Sequence, residues 1–245
     1  MFGFLNKKKS KNLIIDFSNI GTDMHCHMLP GIDDGAKTME ESIAMVNWFL
    51  ALGYKKVYCT PHIMGDLYKN TPEGINQKLG QLQFELQKQN IQFEVNAAAE
   101  YYLDEWFGEK LNSMGLLTFG DNYLLFEISY LNENPTLKKT IFDLKLSGYQ
   151  PVLAHPERYL FYHTNYKAFD ELVSMGVFLQ LNLLSLTGYY GKSVKNAAEY
   201  LVTHKLVHFA GTDLHHQKHF EALQAGLKSG VFQSLLQQKL LNSTL

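Results

Sequence analysis

The sequence lacks the features that mark secreted, membrane-spanning or nucleic-acid-binding proteins. Its 245 residues include only two cysteines, so no disulfide framework is available and a reducing, cytoplasmic location is expected. No apolar run approaches the roughly 18 residues that a membrane-spanning helix needs. The formal net charge of −2 provides no general attraction to nucleic acid. These absences predict a cytoplasmic globular protein whose function must be sought in its side-chain chemistry.

The amino-terminal segment also lacks the pattern of a secretory signal. Its apolar stretch, residues 2–5, is too short, and its lysines follow that stretch, whereas the basic residues of a signal peptide precede the apolar region. We interpret residues 1–245 as a single domain in which residues 1–12 form a flexible basic terminus. Weak contact of these lysines with anionic lipid or an acidic partner is the alternative interpretation.

Neither cysteine is suited to act as a phosphate-accepting nucleophile. Cysteine-dependent phosphatases carry an arginine in the loop that follows the nucleophile, and the corresponding positions here are Ile32 and Gly65. We therefore interpret Cys26 and Cys59 as small buried thiols.

Strand and helix patterns alternate along the whole chain. Capping signals at Thr38–Glu41 and at Thr71–Pro72 predict two helix starts. The strands are continuous apolar runs, which is typical of strands buried on both faces. They are predicted at residues 23–27, 56–59, 91–98, 123–128, 151–154, 177–183 and 207–210. Seven β/α units of about 35 residues each predict an α/β fold, specifically an irregular (β/α)7 TIM-like barrel.

Each predicted strand ends in a residue that can bind a metal or another polar ligand. Active sites of parallel barrels form at the C-terminal ends of the strands, so these side chains should converge. The residues at the strand ends are His25, His27, His62, Glu100, Glu127, His155, Asn182, Asp213 and His215. Burying so many polar groups in one place is costly unless cations compensate.

The number of candidate ligands exceeds the need of one ion. Tetrahedral zinc takes about four ligands, so two or three divalent ions are predicted. Mixed imidazole and carboxylate ligands suit Mn, Fe, Zn or Ni, and Mg also remains a candidate. The glycine-flanked pair Asp33–Asp34 adds two carboxylates, of which one could bind a metal and the other could orient a ligand or cap the turn.

A single arginine is the second chemical signal. Arg158 follows His155 by three positions in a chain that otherwise uses lysine. A guanidinium group can bind two phosphate oxygens at once, which an ammonium group cannot. Metals and an arginine at a barrel mouth therefore predict phosphoester hydrolysis. A salt bridge of Arg158 with Glu157 or another acid is the alternative role.

Tyrosines are also frequent near the predicted mouth. They could form a groove that stacks on an aromatic substrate group, or they could be ordinary half-buried packing residues. Under the first interpretation, Tyr101 and Tyr159 are predicted to bind substrate. The complete set is Tyr101, Tyr102, Tyr130, Tyr159, Tyr189 and Tyr190.

These motifs resemble a known superfamily. Residues 23–36, Asp-Met-His-Cys-His-Met-Leu-Pro-Gly-Ile-Asp-Asp-Gly-Ala, are similar to the opening motif of the polymerase and histidinol phosphatase (PHP) superfamily. The similarity is greatest to bacterial tyrosine-protein phosphatases of the CpsB/YwqE type, which are encoded with capsule or exopolysaccharide genes. Later motifs match in order at residues 60–62, 99–102, 126–127, 154–159 and 212–215. The resemblance therefore covers nearly the whole chain.

The resemblance implies a metal-dependent phosphatase acting on the tyrosine-rich tails of bacterial tyrosine kinases. Arg158, Asp213 and His215 are then expected to be catalytic, with Arg158 also binding the phosphate. Peripheral membrane association through the kinase is compatible with this assignment. Three metals are implied, with the ligands His25, His27, Asp34, His62, Glu100, Glu127, His155, Asp213 and His215.

One loop departs from the family pattern, and three other functions remain open. Some relatives carry a second arginine after the last histidine, whereas residues 215–219 are His-His-Gln-Lys-His. His216, Lys218 or His219 are candidates to replace it. The alternatives are a small-molecule phosphatase acting on a histidinol-phosphate-like substrate, a nuclease, and a non-catalytic kinase regulator. A nuclease would need a basic track, and a regulator would not need nine ligands.

Overall fold

The computed structural model describes residues 16–111, 115–226 and 230–245. The predicted basic terminus, residues 1–12, lies outside the described residues. The strands are β1 Thr22–Cys26, β2 Lys56–Cys59, β3 His62–Ile63, β4 Glu94–Ala97, β5 Glu100–Tyr102, β6 Tyr123–Glu127, β7 Gln150–Ala154, β8 Phe178–Asn182 and β9 Phe209–Gly211.

Helices occupy most of the connections between these strands. The α-helices are α1 Met39–Ala51, α2 Pro72–Lys88, α3 Glu105–Lys110, α4 Leu137–Leu146, α5 Lys167–Ser174, α6 Leu183–Thr187, α7 Lys192–Thr203, α8 Gln217–Gly226 and α9 Gly230–Leu236. Short 3₁₀ helices cover Pro156–Arg158, Leu160–Thr164 and Leu241–Thr244. Within the described ranges, no helix has both the length and the apolar character needed to cross a bilayer.

Both predicted helix starts are confirmed. The Thr38 side chain accepts a hydrogen bond from the backbone N–H of Glu41 at the start of α1. The Thr71 side chain accepts one from Gly74, and Pro72 occupies the first turn of α2. Each cap satisfies a backbone donor that the first helical turn leaves unpaired.

The strands form two parallel sheets, which confirms the α/β class. The smaller sheet has the order β1-β2-β4, and the larger has the order β3-β5-β6-β7-β8-β9. Two short strands, β3 and β5, were not predicted as separate strands. The sequence pattern indicated that their residues form the ends of the preceding strands. Both continue from strands of the smaller sheet after a two-residue interruption.

The interruption between the two sheets has a local cause at Pro61. Proline has no backbone N–H and cannot donate to a sheet ladder, so β2 ends before it. The neighbouring strand is interrupted at the same level. Across the gap, Ala98 N–H donates to Cys59 O at 2.8 Å and Glu100 N–H donates to Pro61 O at 3.1 Å. These bonds keep the two interrupted strands in register and carry His62 and Glu100 into the larger sheet.

Hydrogen bonds also join β1 of the smaller sheet to the chain just after β9 of the larger sheet. Asp213 N–H donates to His25 O at 2.8 Å, and His27 N–H donates to Leu214 O at 3.0 Å. The buried carboxylate of Asp23 adds to this connection by accepting from the backbone N–H of Thr212 at 3.0 Å. The first and last strands are therefore fixed to each other beside the predicted metal ligands.

Away from the predicted ligands, at the start of β1, Asn242 makes a second connection between β1 and β9. Its amide group donates to Thr22 O at 2.9 Å and to Ala210 O at 2.7 Å, and its carbonyl oxygen accepts from Ala210 N–H at 2.9 Å. The side chain is fully buried. It therefore satisfies backbone groups at the start of β1 and in β9 that no solvent can reach.

We predict that Asn242→Ala lowers the free energy of unfolding by about 2–4 kcal/mol, because it leaves buried backbone groups without partners. Urea denaturation followed by circular dichroism measures this loss. Ser243→Ala is the matched control, since the Ser243 hydroxyl only donates to Leu240 O at 3.0 Å in the same 3₁₀ helix. Equal stability of the Asn242→Ala variant and the wild-type protein would contradict the assigned connection.

Candidate functional site

The nine predicted metal ligands lie together at the C-terminal edge of the strands. Each belongs to at least one of four groups whose ligand atoms are within 4.8 Å of one another. The groups are His27, Asp34, His62 and His215; His25, Glu100 and His155; His25, His27 and Asp213; and His62, Glu100 and Glu127. The shared members make these groups one continuous cluster.

Backbone geometry directs these side chains to a common centre. His25 and His27 are separated by one residue and face the cluster together, whereas the intervening Cys26 is buried and its thiol donates to Tyr58 O. His155 and Asp213 have positive φ angles of 35° and 51°. Non-glycine residues adopt this left-handed conformation at an energetic cost, and it is often found where a functional side chain must be aimed.

Second-layer hydrogen bonds fix which imidazole nitrogen faces the cluster. The Nδ1 of His25 lies 2.9 Å from Gln180 Oε1, and the amide nitrogen of Gln180 donates to Leu181 O, so Nδ1 of His25 is the donor. The Nδ1 of His27 likewise donates to Asp33 Oδ2 at 2.8 Å. In neutral His25 and His27, an unprotonated Nε2 therefore points into the cluster, as metal binding requires.

The resulting arrangement fits cations. The two Nε2 atoms of His25 and His27 are only 3.2 Å apart. Glu100 Oε2 lies 3.1 and 3.4 Å from them, and Asp213 Oδ1 lies 3.4 and 3.3 Å from them. Two lone pairs and two carboxylate oxygens that face one another repel unless a positive charge lies between them. Divalent ions supply that charge.

His62 gives a further test of the fit. Its buried Nδ1 is 3.2 Å from Glu100 and 3.1 Å from Glu127, yet neither contact meets the geometric criteria of a hydrogen bond. Imidazole nitrogens and carboxylate oxygens that lie close together without hydrogen-bond geometry are expected when they bind one metal ion instead of sharing a proton. The buried Nδ1 of His155 also lacks a hydrogen-bond partner among the described residues.

The geometry separates the roles of the two adjacent aspartates. Asp33 is buried and accepts hydrogen bonds from His27 Nδ1 and from Gly35 N–H. Asp34 is half exposed, and its Oδ1 lies 3.5 Å from His62 Nε2 and 3.4 Å from His215 Nε2. Asp33 therefore orients His27, while Asp34 is placed among the candidate ligands, as the family resemblance implies.

The pKa shifts indicate that the cluster attracts positive charge. Burial alone would raise the pKa of Glu100 and Asp213, but the adjacent histidines hold both well below their usual range. Burial disfavours the charged form of His62, yet the carboxylates of Glu100 and Glu127 outweigh it and raise the pKa of His62 to about 9. Glu100 and Asp213 therefore remain charged, and the carboxylates around His62 attract positive charge even to an imidazole.

Arg158 lies beside the cluster and binds a carboxylate. Its Nη1 donates to Asp213 Oδ2 at 2.9 Å, and its guanidinium carbon Cζ lies 4.8 and 4.3 Å from the ring centroids of Tyr130 and Tyr190. Glu157, the sequence-adjacent acid, is not its partner. Glu157 is buried, accepts from the backbone of Asn182 and from the Ser185 hydroxyl, and has its pKa raised by burial to about 7.

A pocket of about 450 Å³ opens above the cluster. The side chain of Arg158 is 22% exposed and forms part of its wall. The remaining lining residues are Asp34, His62, Met64, Leu67, Tyr68, Glu100, Glu127, Tyr130, His155, Tyr190, Asp213, His215, His216 and His219. The pocket wall therefore brings Arg158 and candidate metal ligands together.

The prediction that Tyr101 and Tyr159 bind substrate is wrong, because both rings are buried. Tyr101 follows Glu100 in β5, so its side chain points away from the cluster, and its hydroxyl accepts from Leu117 N–H. The hydroxyl of Tyr159 donates to Ala154 O and accepts from Ile128 N–H. Neither ring can stack on a ligand.

Three pocket residues were missed by the sequence reasoning. Met64, Leu67 and Tyr68 follow the two-residue strand β3 and form one wall of the pocket. They carry no charged group or imidazole and show no helix or strand periodicity, so only the three-dimensional structure places them here. Of the mouth tyrosines predicted from sequence, Tyr130 and Tyr190 do line the pocket.

The fold and the site together define a parallel α/β protein with a candidate multinuclear metal centre. Comparison with known proteins identifies its family. Residues 21–225 match the model of the family described as capsular polysaccharide synthesis, CpsB/CapC, and the chain belongs to this family.

Its relatives include tyrosine phosphatases. The chain is 34% identical to tyrosine-protein phosphatase YwqE of Bacillus subtilis (strain 168) over 197 residues, which cover 80% of this chain and 78% of YwqE. It is 29% identical to tyrosine-protein phosphatase CpsB of Streptococcus pneumoniae over 202 residues, 79% of this chain and 82% of CpsB.

Solved structures give the same picture. A chain from the crystal structures of YwqE from Bacillus subtilis and CpsB from Streptococcus pneumoniae, described as metal-dependent tyrosine phosphatases, matches with a TM-score of 0.77 and 30% identity. The match covers 89% of this chain and 96% of that chain. Histidinol phosphate phosphatase from Lactococcus lactis matches with a TM-score of 0.56 at 12% identity, over 90% of this chain and 95% of that chain, and shares the fold.

We predict that Asp33→Ala weakens metal binding about 10–100-fold, because His27 loses the hydrogen bond that orients it. Competition with a chromophoric chelator measures the affinity for Zn²⁺ or Mn²⁺. Asp121→Ala is the control, since Asp121 is exposed in the turn before β6. An unchanged affinity in Asp33→Ala would show that Asp33 does not orient a ligand.

Proposed function

We propose that this chain is a metal-dependent protein-tyrosine phosphatase. The observation that carries the proposal is the convergence of nine imidazole and carboxylate side chains beneath a pocket that also contains the single arginine. The names of the relatives agree with this function. Phosphate release from a phosphotyrosine peptide, a matched phosphoserine peptide and histidinol phosphate tests it. A preference for histidinol phosphate would support a small-molecule phosphatase instead.

Charge balance supports at least two divalent ions, with a third compatible with the nine candidate ligands. The four candidate ligand carboxylates, the Asp33 carboxylate and the guanidinium group of Arg158 together carry a formal charge of −4 when the histidines are neutral. Two divalent ions balance this charge. The five carboxylates are those of Asp33, Asp34, Glu100, Glu127 and Asp213. Mixed nitrogen and oxygen donors favour Mn, Fe or Zn over Mg.

The ions and the protein groups have distinct roles in hydrolysis. Bound divalent ions would polarise the phosphoryl oxygens and make coordinated water more acidic. Arg158 is proposed to bind a phosphoryl oxygen with the N–H groups that do not contact Asp213. Contacts of its guanidinium carbon with the rings of Tyr130 and Tyr190, together with the hydrogen bond to Asp213, restrict the side chain, so less rotamer entropy is lost on binding.

Asp213 and His215 are the proposed catalytic partners of Arg158. Both line the pocket, and the Nδ1 of His215 lies 2.9 Å from the backbone oxygen of Asp213, which fixes its ring. Asp213 stays ionised and is proposed to hold the guanidinium group of Arg158 in place, while the role of assisting the departing oxygen is proposed for His215. A phenolate has a pKa of about 10, so a phosphotyrosine substrate needs little of this help, whereas an alkoxide leaving group needs much more.

We also propose that the two sheets close into an irregular (β/α)7 barrel. The hydrogen bonds between β1 and the residues after β9 support closure on one side, and the continuity of β2 with β3 and of β4 with β5 supports it on the other. Such closure brings the carboxyl ends of all strands to one mouth.

The proposed substrate is the tyrosine-rich tail of a bacterial tyrosine kinase that controls capsule or exopolysaccharide synthesis. Membership of a capsular polysaccharide synthesis family supports this partner. We propose a cytoplasmic location, with peripheral membrane association only through the kinase. The small number of cysteines, both of them unpaired and buried, is compatible with a reducing compartment.

Purified protein is expected to contain more than one transition-metal equivalent by elemental analysis. Chelation should abolish phosphotyrosine hydrolysis, and added metal should restore it. His27→Ala should lose activity while keeping a wild-type circular dichroism spectrum, because only the cluster is altered. Cys26→Ser is the control and should remain active. Full activity of metal-free protein would refute the metal mechanism.

Arg158→Lys is expected to lower kcat/KM for a phosphotyrosine peptide by about 2 kcal/mol or more, roughly 30-fold, because lysine cannot bind two oxygens in one plane. Lys192→Ala is the control, since this cation is exposed at the start of α7. Metal content is measured in parallel to separate phosphate binding from loss of Asp213 orientation. An unchanged kcat/KM would assign Arg158 to a purely structural ion pair.

A further inference from the structure

The pocket above the cluster has two chemically different walls. One wall contains Arg158 and the histidines of the loop after β9. The other consists of Met64, Leu67 and Tyr68, which we call the apolar wall. Leu67 is 73% exposed and lines the pocket, so its apolar side chain is available to a bound molecule. A phosphate group bound to metals and arginine gains nothing from contact with an apolar surface, so this wall is expected to contact another part of a bound molecule.

We propose that the apolar wall binds the aromatic ring of the phosphoester substrate and thereby makes the site selective for aryl over alkyl phosphates. This inference rests on the proposed phosphatase function and assigns the ring contacts to residues other than Tyr101 and Tyr159. The reasons are the position of the wall, its fixed geometry and its chemistry.

The wall begins at the level of the metal ligands. The ring of Tyr68 stacks on the imidazole of His62 with a centroid distance of 5.5 Å and an interplanar angle of 15°. His62 is itself a member of two of the ligand groups. A ring attached to a phosphate at the cluster would therefore emerge beside Tyr68 and next reach Leu67.

The wall is held by several contacts. Met64 N–H donates to Tyr68 O at 2.9 Å, which closes the loop on itself. Gly65 N–H donates to Asp104 Oδ2 at 2.9 Å, and a Cβ at Gly65 would lie 2.9 Å from the Cβ of Trp106, so the loop packs closely against the start of α3. A fixed surface loses little entropy when a rigid ring packs on it.

The chemistry of the wall distinguishes two classes of phosphoester. A phosphotyrosine ring can contact both Tyr68 and Leu67, through aromatic packing and burial of apolar area. The single methylene of phosphoserine is too short to cover these side chains and leaves them in water. The wall therefore adds binding to aryl phosphates only, beyond the advantage of the phenolate leaving group.

The test compares Leu67→Ser and Tyr68→Ala with the wild-type protein. Two readouts are used: kcat/KM for matched phosphotyrosine and phosphoserine peptides, and direct calorimetric affinity for phenylphosphonate and methylphosphonate. Each variant should lose about three- to tenfold on the aryl compound in both readouts and less than twofold on the alkyl compound. Tyr68→Phe should keep the wild-type aryl-to-alkyl ratio, because it keeps the ring.

Leu131→Ser is the matched control, since Leu131 is 76% exposed and does not line this pocket. Metal content is measured for every variant. Equal losses on aryl and alkyl compounds, or no loss on either, would overturn the apolar wall while leaving the phosphatase function intact. A wild-type protein that prefers phosphoserine or histidinol phosphate would instead overturn the proposed function itself.

Discussion

The structure depends on one electrostatic constraint, the buried carboxylate of Glu100. Its oxygens lie within 3.4 Å of nitrogen atoms from four histidines, and the side chain is fully removed from solvent. A charge in this position is tolerated only if every neighbour is arranged to favour it. The histidines come from the first strand, from β3 and from the end of β7, so the constraint fixes the relative positions of strands that are distant in sequence. The four histidines are His25, His27, His62 and His155.

The residues around the cluster serve this constraint indirectly. Gln180 accepts from His25 Nδ1 and from the backbone N–H of His155, and Asn182 donates to Asp213 Oδ2. Both belong to β8, which contributes no ligand of its own. The strand therefore acts as a template that sets the orientation of ligands from β1 and from the ends of β7 and β9. Its replacement by an apolar strand would leave those ligands free to rotate.

Much of the fold and site could be predicted from sequence because the controlling signals are local. Capping residues such as Thr38 and Thr71 define helix starts wherever they occur, and the repeated polar residue after each apolar strand indicates convergence. The failures share a different origin. Tyr101 was wrongly predicted to line the pocket. Side chains alternate between the two faces of β5, and the sequence of a three-residue strand does not show whether Glu100 or Tyr101 faces the centre. The wall at Leu67 was missed because its neighbours in space are distant in the chain.

Asn242 has a consequence for the timing of assembly. Its hydrogen bond to Thr22 spans 220 positions, and the ligands Asp213 and His215 also lie late in the chain. During synthesis, the amino-terminal histidines emerge long before their partners and before the residue that fixes β1 against β9. The complete ligand set is therefore present only after residue 215 has been made, and Asn242 then fixes β1 against β9. Until then, the nascent polypeptide displays His25 and His27 without Asp213, so the amino-terminal strands alone cannot complete the centre.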